Sequence, residues 1–453
     1  MRRIKTKNRT RHGASSIFLA IIMSALILVE CTFLTFVWRL DRALNVNEAL
    51  RIQVETVLSD YNRTLFSVYG IYAFSIDGVD SACFEKALEI NGLESSSELF
   101  ISGKQRFTCE DLKKAINSYY WYRGTGIQFK LLVQGYADMI LELDKKGVFQ
   151  KIGQFMKSPA AKYVSDILKG SESATEWIQK AGNALNIDEL TGEAEFIDSL
   201  SSDYKQAMKD YGIELDMDIA GWESFLKTIS FLEKLDFYTD EKSPGILEKL
   251  NVSHYCAYNF DCHFRPDGDS SLAGYDFNSI HGKKKADSEY IITGKGTYPA
   301  VLEVEFYIAH ILIASCVLKD YANEQFRNTM EVIGRIISAI ISAVSDGTVN
   351  IDYRLIAAGL TFFCAAVQAI KEFHAVLKGK RAVIFEYDNE KIVTFNYRDF
   401  LYIFCLCTPE DKLLDRSREI LERDFGKLYK GLTLEADYGG NTYKLTKSYQ
   451  LYE

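Results

Sequence analysis

The chain has 453 residues, 47% of them apolar and 25% charged, with only 5 prolines. That composition belongs to an ordered globular protein with room for two or three cores, and excludes a disordered or low-complexity one. The formal charge of −9 hides an asymmetry. Arg2, Arg3, Lys5, Lys7, Arg9 and Arg11 stand ahead of the first apolar run, so the rest of the chain is still more acidic and unsuited to nucleic acid as a partner.

Ile17 to Val37 is an apolar stretch of about 21 residues, enough for a helix to cross a 30 Å hydrocarbon layer. Trp38 and then Arg39, Asp41 and Arg42 supply an interfacial ring and a polar stop. The run is too long for a cleavable signal and lacks a small-x-small cleavage site. An uncleaved transmembrane helix over 14–38 is expected, with residues 1–13 cytoplasmic by the positive-inside rule and the body extracellular. Glu30 is anomalous within this span. Either it reaches the outer headgroups as a neutral acid, or it finds a partner in a neighbouring helix, which would make the span an assembly element.

Beyond Trp38 the sequence offers no break for some thirty residues. Leu40, Ala43, Asn47, Leu50, Val54, Val57, Tyr61, Thr64 and Val68 step by three and four, and Gly70 offers a stop. A stem helix over 39–72 is expected, lifting the body off the membrane. Residues 73–250 read as mostly helical, with loops at "KGSESATEW" and "TDEKSPGI". Tyr119, Tyr120, Trp121 and Tyr122 form either a packing cluster or a binding face.

Residues 251–285 change texture. Val252, His254, Cys256, Tyr258 and Phe260 alternate with Ser253, Tyr255, Ala257 and Asn259, which predicts a strand followed by a turn at "RPDGD". His254, Cys256, Cys262 and His263 have the spacing H-x-C-x5-C-H, which no standard zinc finger uses. Metal binding, a Cys256–Cys262 disulfide and plain packing are the three readings of that set. Nine cysteines at irregular spacing in so long a chain do not form a disulfide framework.

Three helices are expected between 302 and 377. Leu355 to Ile370 reads as a buried central helix, with a second membrane crossing as the alternative. "RAVIFEYDNEKIVTFNY" predicts a hairpin near 382–396 turning at Asp388–Asn389. Helices follow at Tyr397–Cys407 and after Thr408–Pro409, closing a helical domain over 286–431, and residues 432–453 form a last hairpin turning at Gly439–Gly440. The fold class is therefore mainly α (α+β): a transmembrane helix continuing into a stem, and a helical body with a few β-hairpins.

No G-x-S-x-G, H-E-x-x-H, Walker or G-x-G-x-x-G motif is present. Ser224-x-x-Lys227 lacks companion motifs, and Asp216 and Asp218 open a calcium-like loop that Ala220 and Lys227 do not complete. The chain carries no pattern that asks for a cofactor, and a non-enzymatic role is expected.

"RHGASSIFLA", "LVE", "SDYNRTLFSVYGIYAF" and "DSEYIITGK" occur in that order. With this order the sequence resembles the TadE/TadG-like membrane-anchored proteins of Gram-positive bacteria, in particular those grouped under domain of unknown function 5702 and associated with Tad (Flp) pilus systems. Matching positions are Gly13, Glu30, Asp60 to Leu65, Tyr69, Gly70, Glu289, Tyr290, Ile291 and Gly294. The resemblance implies a pilin-like or pilus-accessory protein, with processing between Gly13 and Ala14, helix pairing through Glu30, and other anchor helices and pilus assembly proteins as partners. One departure is Phe18, which stands where prepilin-type sites carry glutamate. The alternative is a single-pass ligand-binding or sensory ectodomain working with a partner membrane protein.

Overall fold

The computed structural model describes residues 10–75, 80–94, 98–121, 145–162, 219–232, 245–267, 285–344, 350–387 and 391–452, with isolated positions elsewhere. The loops expected at 169–177 and 239–244, the turn at 388–389 and the calcium-like Asp216 and Asp218 lie outside them. The described chain is mostly helical with small antiparallel sheets. It divides into two compact units: one made of 1–111 and 424–453, the other of 112–423 inserted between them.

The first unit is built on α1, a single helix from Thr10 to Ser59. Its apolar pattern carries it without interruption from the expected span into the expected stem. The stem is shorter than the periodicity suggests. After Ser59 the chain breaks, Asn62 accepts the Leu65 N–H at 3.0 Å as an N-cap, and α2 runs from Arg63 to Tyr69. Gly70, in the left-handed region at φ 68°, ends α2. The "SDYNRTLFSVYG" motif thus writes a helix stop, a cap, a short helix and a second stop.

After α3 (Ala82–Ile90), residues Glu98–Arg106 form β1, a strand where helix was expected. It pairs antiparallel with β4 (Tyr429–Tyr438), which pairs with β5 (Asn441–Ser448), giving the order β1-β4-β5. The β4–β5 connection turns at Gly439 and Gly440 with φ 57° and 75°. A two-residue hairpin whose twist matches its strands needs positive φ at both positions, which glycine adopts without strain. One sheet face presents Leu432, Leu434, Ala436 and Tyr438 to Val46, Ala49, Leu50 and Val54 of α1, with Phe74, Phe84 and Leu88 closing the core. The other is polar: Thr433 meets Thr446, Thr442 bonds Asp437 and Lys444 pairs with Glu435.

The α1 stripe that enters this core is Val46, Ala49, Leu50, Gln53, Val54, Val57 and Leu58. It shares Leu50, Val54 and Val57 with the predicted seam, whereas Asn47 is exposed. Contacts run up the helix in step with β5: Arg42 against Tyr438, the β4 residue opposite Asn441 at the start of β5, then Glu55 with Lys447, and Leu58 accepting from Tyr449 just past its end at 2.7 Å. Strand β5 therefore runs parallel to α1, and the stem is packed along its length instead of standing as a free spacer.

The second unit contains α4 (Cys109–Trp121, entered from the first unit), α5 (Val148–Met156), α6 (Ile219–Leu232), α7 (Ile246–Tyr258), α8 (Asp287–Thr293), α9 (Thr297–Ala322), α10 (Glu324–Val344), α11 (Tyr353–Leu377), α12 (Tyr397–Cys407) and most of α13 (Glu410–Phe425). The strands β2 (Ala382–Tyr387) and β3 (Lys391–Phe395) pair antiparallel as a hairpin. Its centre is α9 against α11, with α5 and α10 also packed on α11 and α6 on α9. Phe155 of α5 sits where a Cβ on Gly359 would lie 2.3 Å from its ring, and Trp222, Phe225 and Phe362 cluster nearby.

The strand predicted at 252–260 is instead the C-terminal half of α7. Leu250, Val252, Ser253, Tyr255, Cys256 and Ala257 are all buried. A helix enclosed on several sides loses its three-four period, and the residual alternation imitated a strand. Thr408 turns its hydroxyl back to the Phe404 carbonyl at 2.8 Å and closes α12.

Candidate functional site

Among the described residues, three helices are long and apolar enough to cross a membrane. They differ in what surrounds them. The apolar windows of α9 and α11 are 61% and 72% buried inside the protein, whereas that of α1 is not buried at all. Ile17, Leu19, Leu28, Phe33, Leu34 and Trp38 are each more than 60% exposed. Uncovered apolar surface on this scale costs about 25 cal/mol per Å² in water and calls for another apolar environment.

The polar residues of this half split into two kinds. Ser24, Thr32 and Thr35 donate their hydroxyls to the carbonyls of Ala20, Leu28 and Cys31 at 2.7–2.9 Å, so the helix itself satisfies them. Glu30 is exposed and makes no hydrogen bond or ion pair among the described residues. Its helical neighbours at three and four residues are Leu26, Ile27, Phe33 and Leu34, which offer it nothing polar. The Gly13 and Ala14 backbone lies within the opening turns of α1.

A second polar cluster lies inside the inserted unit, around the "DSEYIITG" stretch that forms α8. Glu289 is fully buried. Its Oε1 accepts the His263 N–H at 2.9 Å and the Tyr397 hydroxyl at 2.8 Å, while Oε2 has no partner. Desolvation pushes its carboxyl up to about 7, against the hydrogen bonds and the nearby Arg398 charge. Ser288 donates to the Cys256 carbonyl at 3.0 Å, and Arg423 reaches Asp287 at 3.1 Å. Arg398, 1% exposed, donates to the carbonyls of Ala257 and Phe260 at 2.7 and 3.0 Å, satisfying the end of α7. Arg416 does the same for Ile291 and Ile292 at the end of α8, and a Cβ on Gly294 would come within 2.5 Å of its guanidinium. Tyr290 extends to Glu419 at 2.6 Å. Asp287, Ser288, Glu289, Tyr290 and the carbonyls of Ile291 and Ile292 thereby tie α8 to α7, α12 and α13.

The four sequence candidates are not brought to one point. The His254 ring stacks on Tyr258 at 4.4 Å, and its Nδ1 meets the Tyr120 hydroxyl at 2.7 Å. Burial holds the imidazole down at about 4, so it is neutral. Cys256 faces the Ser417 hydroxyl at 3.4 Å, and burial raises its thiol to about 12, which makes it a poor nucleophile. Cys262 contacts the Phe264 carbonyl at 3.3 Å, and His263 takes part through its backbone N–H. Cys256 and Cys262 are both free thiols with separate partners. Helix α7 carries Cys256 to α13, while Cys262 lies in the loop beyond it. Among the described residues no three His, Cys, Asp or Glu side chains form a metal-binding group. Tyr120 is buried, and Tyr119 packs against Tyr255 at 6.2 Å, so these two rings of the aromatic run act in packing.

Sequence reasoning missed Arg398, Arg416 and the buried Asp111–Lys430 pair. Their partners are backbone carbonyls or side chains more than a hundred residues away, and no local spacing marks them. Searches against family models, curated proteins and solved structures return no match to this chain.

Proposed function

We propose that this chain is a non-enzymatic, single-pass membrane protein whose body faces the extracellular side, serving as a pilin-like or accessory component of a Tad/Flp-type surface assembly. The observation that carries the reading is the division of α1. Its N-terminal half is bare, apolar and holds one unpartnered carboxyl, while its C-terminal half is fixed into a folded head. An intramembrane acid satisfied by nothing in its own chain is stabilised by a donor from another helix, such as a hydroxyl or a basic side chain. Glu30 is that contact, and other anchor helices are its partners. Within the head, Asn62 and Gly70 shape α2 and Glu289 is held inside the fold, whereas Glu30 is the matched residue of the bare half that offers a polar side chain to another helix.

The test is fractionation of cells expressing the full chain, with the mature N-terminus read by mass spectrometry, with and without a prepilin peptidase. A peptidase-dependent terminus at Ala14 identifies a pilin-like subunit. An intact N-terminus in the membrane identifies a permanent anchor with an accessory role. Recovery in the soluble fraction would sink the reading. In the membrane-bound case, Glu30→Leu is expected to leave insertion intact and abolish co-purification of partner chains.

A further inference from the structure

The step from bare helix to packed helix is short. Trp38 is the last aromatic residue of the exposed run, Leu40 and Leu44 follow it on the open side of the helix, and Val46 is the first α1 side chain with no exposure; Trp38 and Val46 are eight positions apart, or about 12 Å. Between them Arg42 folds back on its own helix. Its guanidinium carbon lies 4.2 Å over the Trp38 ring and 6.0 Å from the Tyr438 ring. A Cβ on Gly439 would lie 3.0 Å from its Nη1. Tyr438 is tied in turn to the chain after α3, its hydroxyl accepting the Glu94 N–H at 3.1 Å. The tip of the β4–β5 hairpin is therefore held at the height of Arg42, about 6 Å along the helix from Trp38.

That height has a meaning if Trp38 marks the hydrocarbon boundary. The headgroup layer on each side of a bilayer is roughly 5–8 Å thick. An average tilt of about 20° over a helix-to-sheet spacing of roughly 10 Å moves the tip by about 3 Å. At that tilt the tip lies roughly 3–9 Å from the Trp38 level, within the headgroup layer or at its outer edge.

We infer that the β4–β5 turn, Tyr438 to Asn441, together with Arg39 and Arg42, forms a lipid-headgroup contact that seats the head directly on the outer leaflet. The inference rests on the anchor reading above. Its chemistry is that of an interface: the exposed Trp38 ring, backed by the buried Tyr438, two guanidinium groups able to fork onto phosphate oxygens, and a Gly–Gly tip with no side chain to hold the surface away. Of the acids at this end, Asp437 accepts from Thr442 at 2.6 Å and lies opposite Glu98 in the sheet, Asp41 accepts from Asn45 at 3.4 Å, and Glu94 is held through its backbone N–H on Tyr438; Arg39 and Arg42 are the groups that offer positive charge to a phosphate. The occupant is the phosphodiester of a membrane lipid, because the surface is continuous with the apolar helix that enters the bilayer. Its consequence is mechanical: the head does not swing on a stalk, so its orientation follows that of the anchor helix.

The experiment uses the full chain in nanodiscs of phosphatidylcholine and phosphatidylglycerol, with a polarity-sensitive fluorophore introduced by codon suppression at Asn441 or, in a second sample, at Ser448. The two sites are the ends of β5, about 24 Å apart along the strand. A headgroup-linked spin label is expected to quench the fluorophore at 441 several-fold more than at 448. Arg42→Ala is expected to bring the 441 signal toward the 448 level, and Arg42→Lys to retain most of it. Equal quenching at both sites in discs that hold the chain overturns the headgroup contact and leaves the anchor standing. Failure of the chain to enter discs overturns both.

Discussion

The two halves of α1 are one helix by backbone and two different objects by surroundings. Leu28 is 68% exposed, and Leu50, six turns on, is fully buried beneath the sheet. The same contrast holds for their polar residues. Gln53 is 2% exposed and donates to the Asp80 carbonyl at 2.7 Å, whereas Glu30 has no partner within the described chain. Residues of the packed half are explained by the fold. Those of the bare half are explained only by something outside it.

The largest expected effect tests the packed half. Leu50→Ala removes a core side chain between α1 and β4 and should destabilise the head by about 3 kcal/mol, read as a lowered denaturation midpoint in detergent-solubilised full-length chain. Next comes Glu289, which extends the comparison to a buried acid whose partners are all internal. Its carboxyl is raised to about 7 from 4.5, so the folded state holds a proton that the unfolded state has released between those values. Its stabilising contribution is complete below about pH 4.5 and is lost as pH rises toward and through 7, on the order of 3 kcal/mol. Glu289→Gln should flatten stability between pH 5 and 8. A mutant with the wild-type slope would show that the carboxyl is not responsible.

Lys430→Met is expected to cost somewhat less. It strips the ion pair at 2.7 Å from Asp111, which is 2% exposed and whose carboxyl Lys430 and Thr108 hold below its ordinary range against desolvation. Part of the loss is spared because Thr108 still donates through its N–H and its hydroxyl, leaving about 2 kcal/mol, measurable by urea titration. Gln53→Ala should cost about 1 kcal/mol through the orphaned Asp80 carbonyl. The smallest effect sharpens the comparison most: Leu28→Ala should leave the midpoint of head unfolding unmoved. A shift equal to that of Leu50→Ala would mean that the bare half packs on the head.

Much of the local structure is legible in the chain. The apolar run and its basic flank mark the exposed helix, Gly70 marks a stop, and Tyr397–Cys407 and the Gly439–Gly440 hairpin are where pattern and turn chemistry put them. Each of these follows from forces acting within a few residues. Strand β1 does not. Alternation in "ELFISGKQR" is weak, and its register is set by β4, with Glu98 opposite Asp437. The break at Asp60 to Asn62 was also obscured, because the apolar steps continue across it while the N-cap side chain decides the backbone.

What the sequence alone determined is an anchor-like helix carrying an acid, Glu30, a mainly helical body, and many of the places where helices and hairpins stop. Tertiary structure decided which half of α1 is covered, that residues 252–258 are helix, and that the "DSEYIITG" stretch ties α8 to α7, α12 and α13. The physical reason is range. Helix periods, caps and turns are governed by neighbours a few positions apart, whereas burial, ion pairing and sheet register join residues such as Asp111 and Lys430, whose proximity no local pattern encodes.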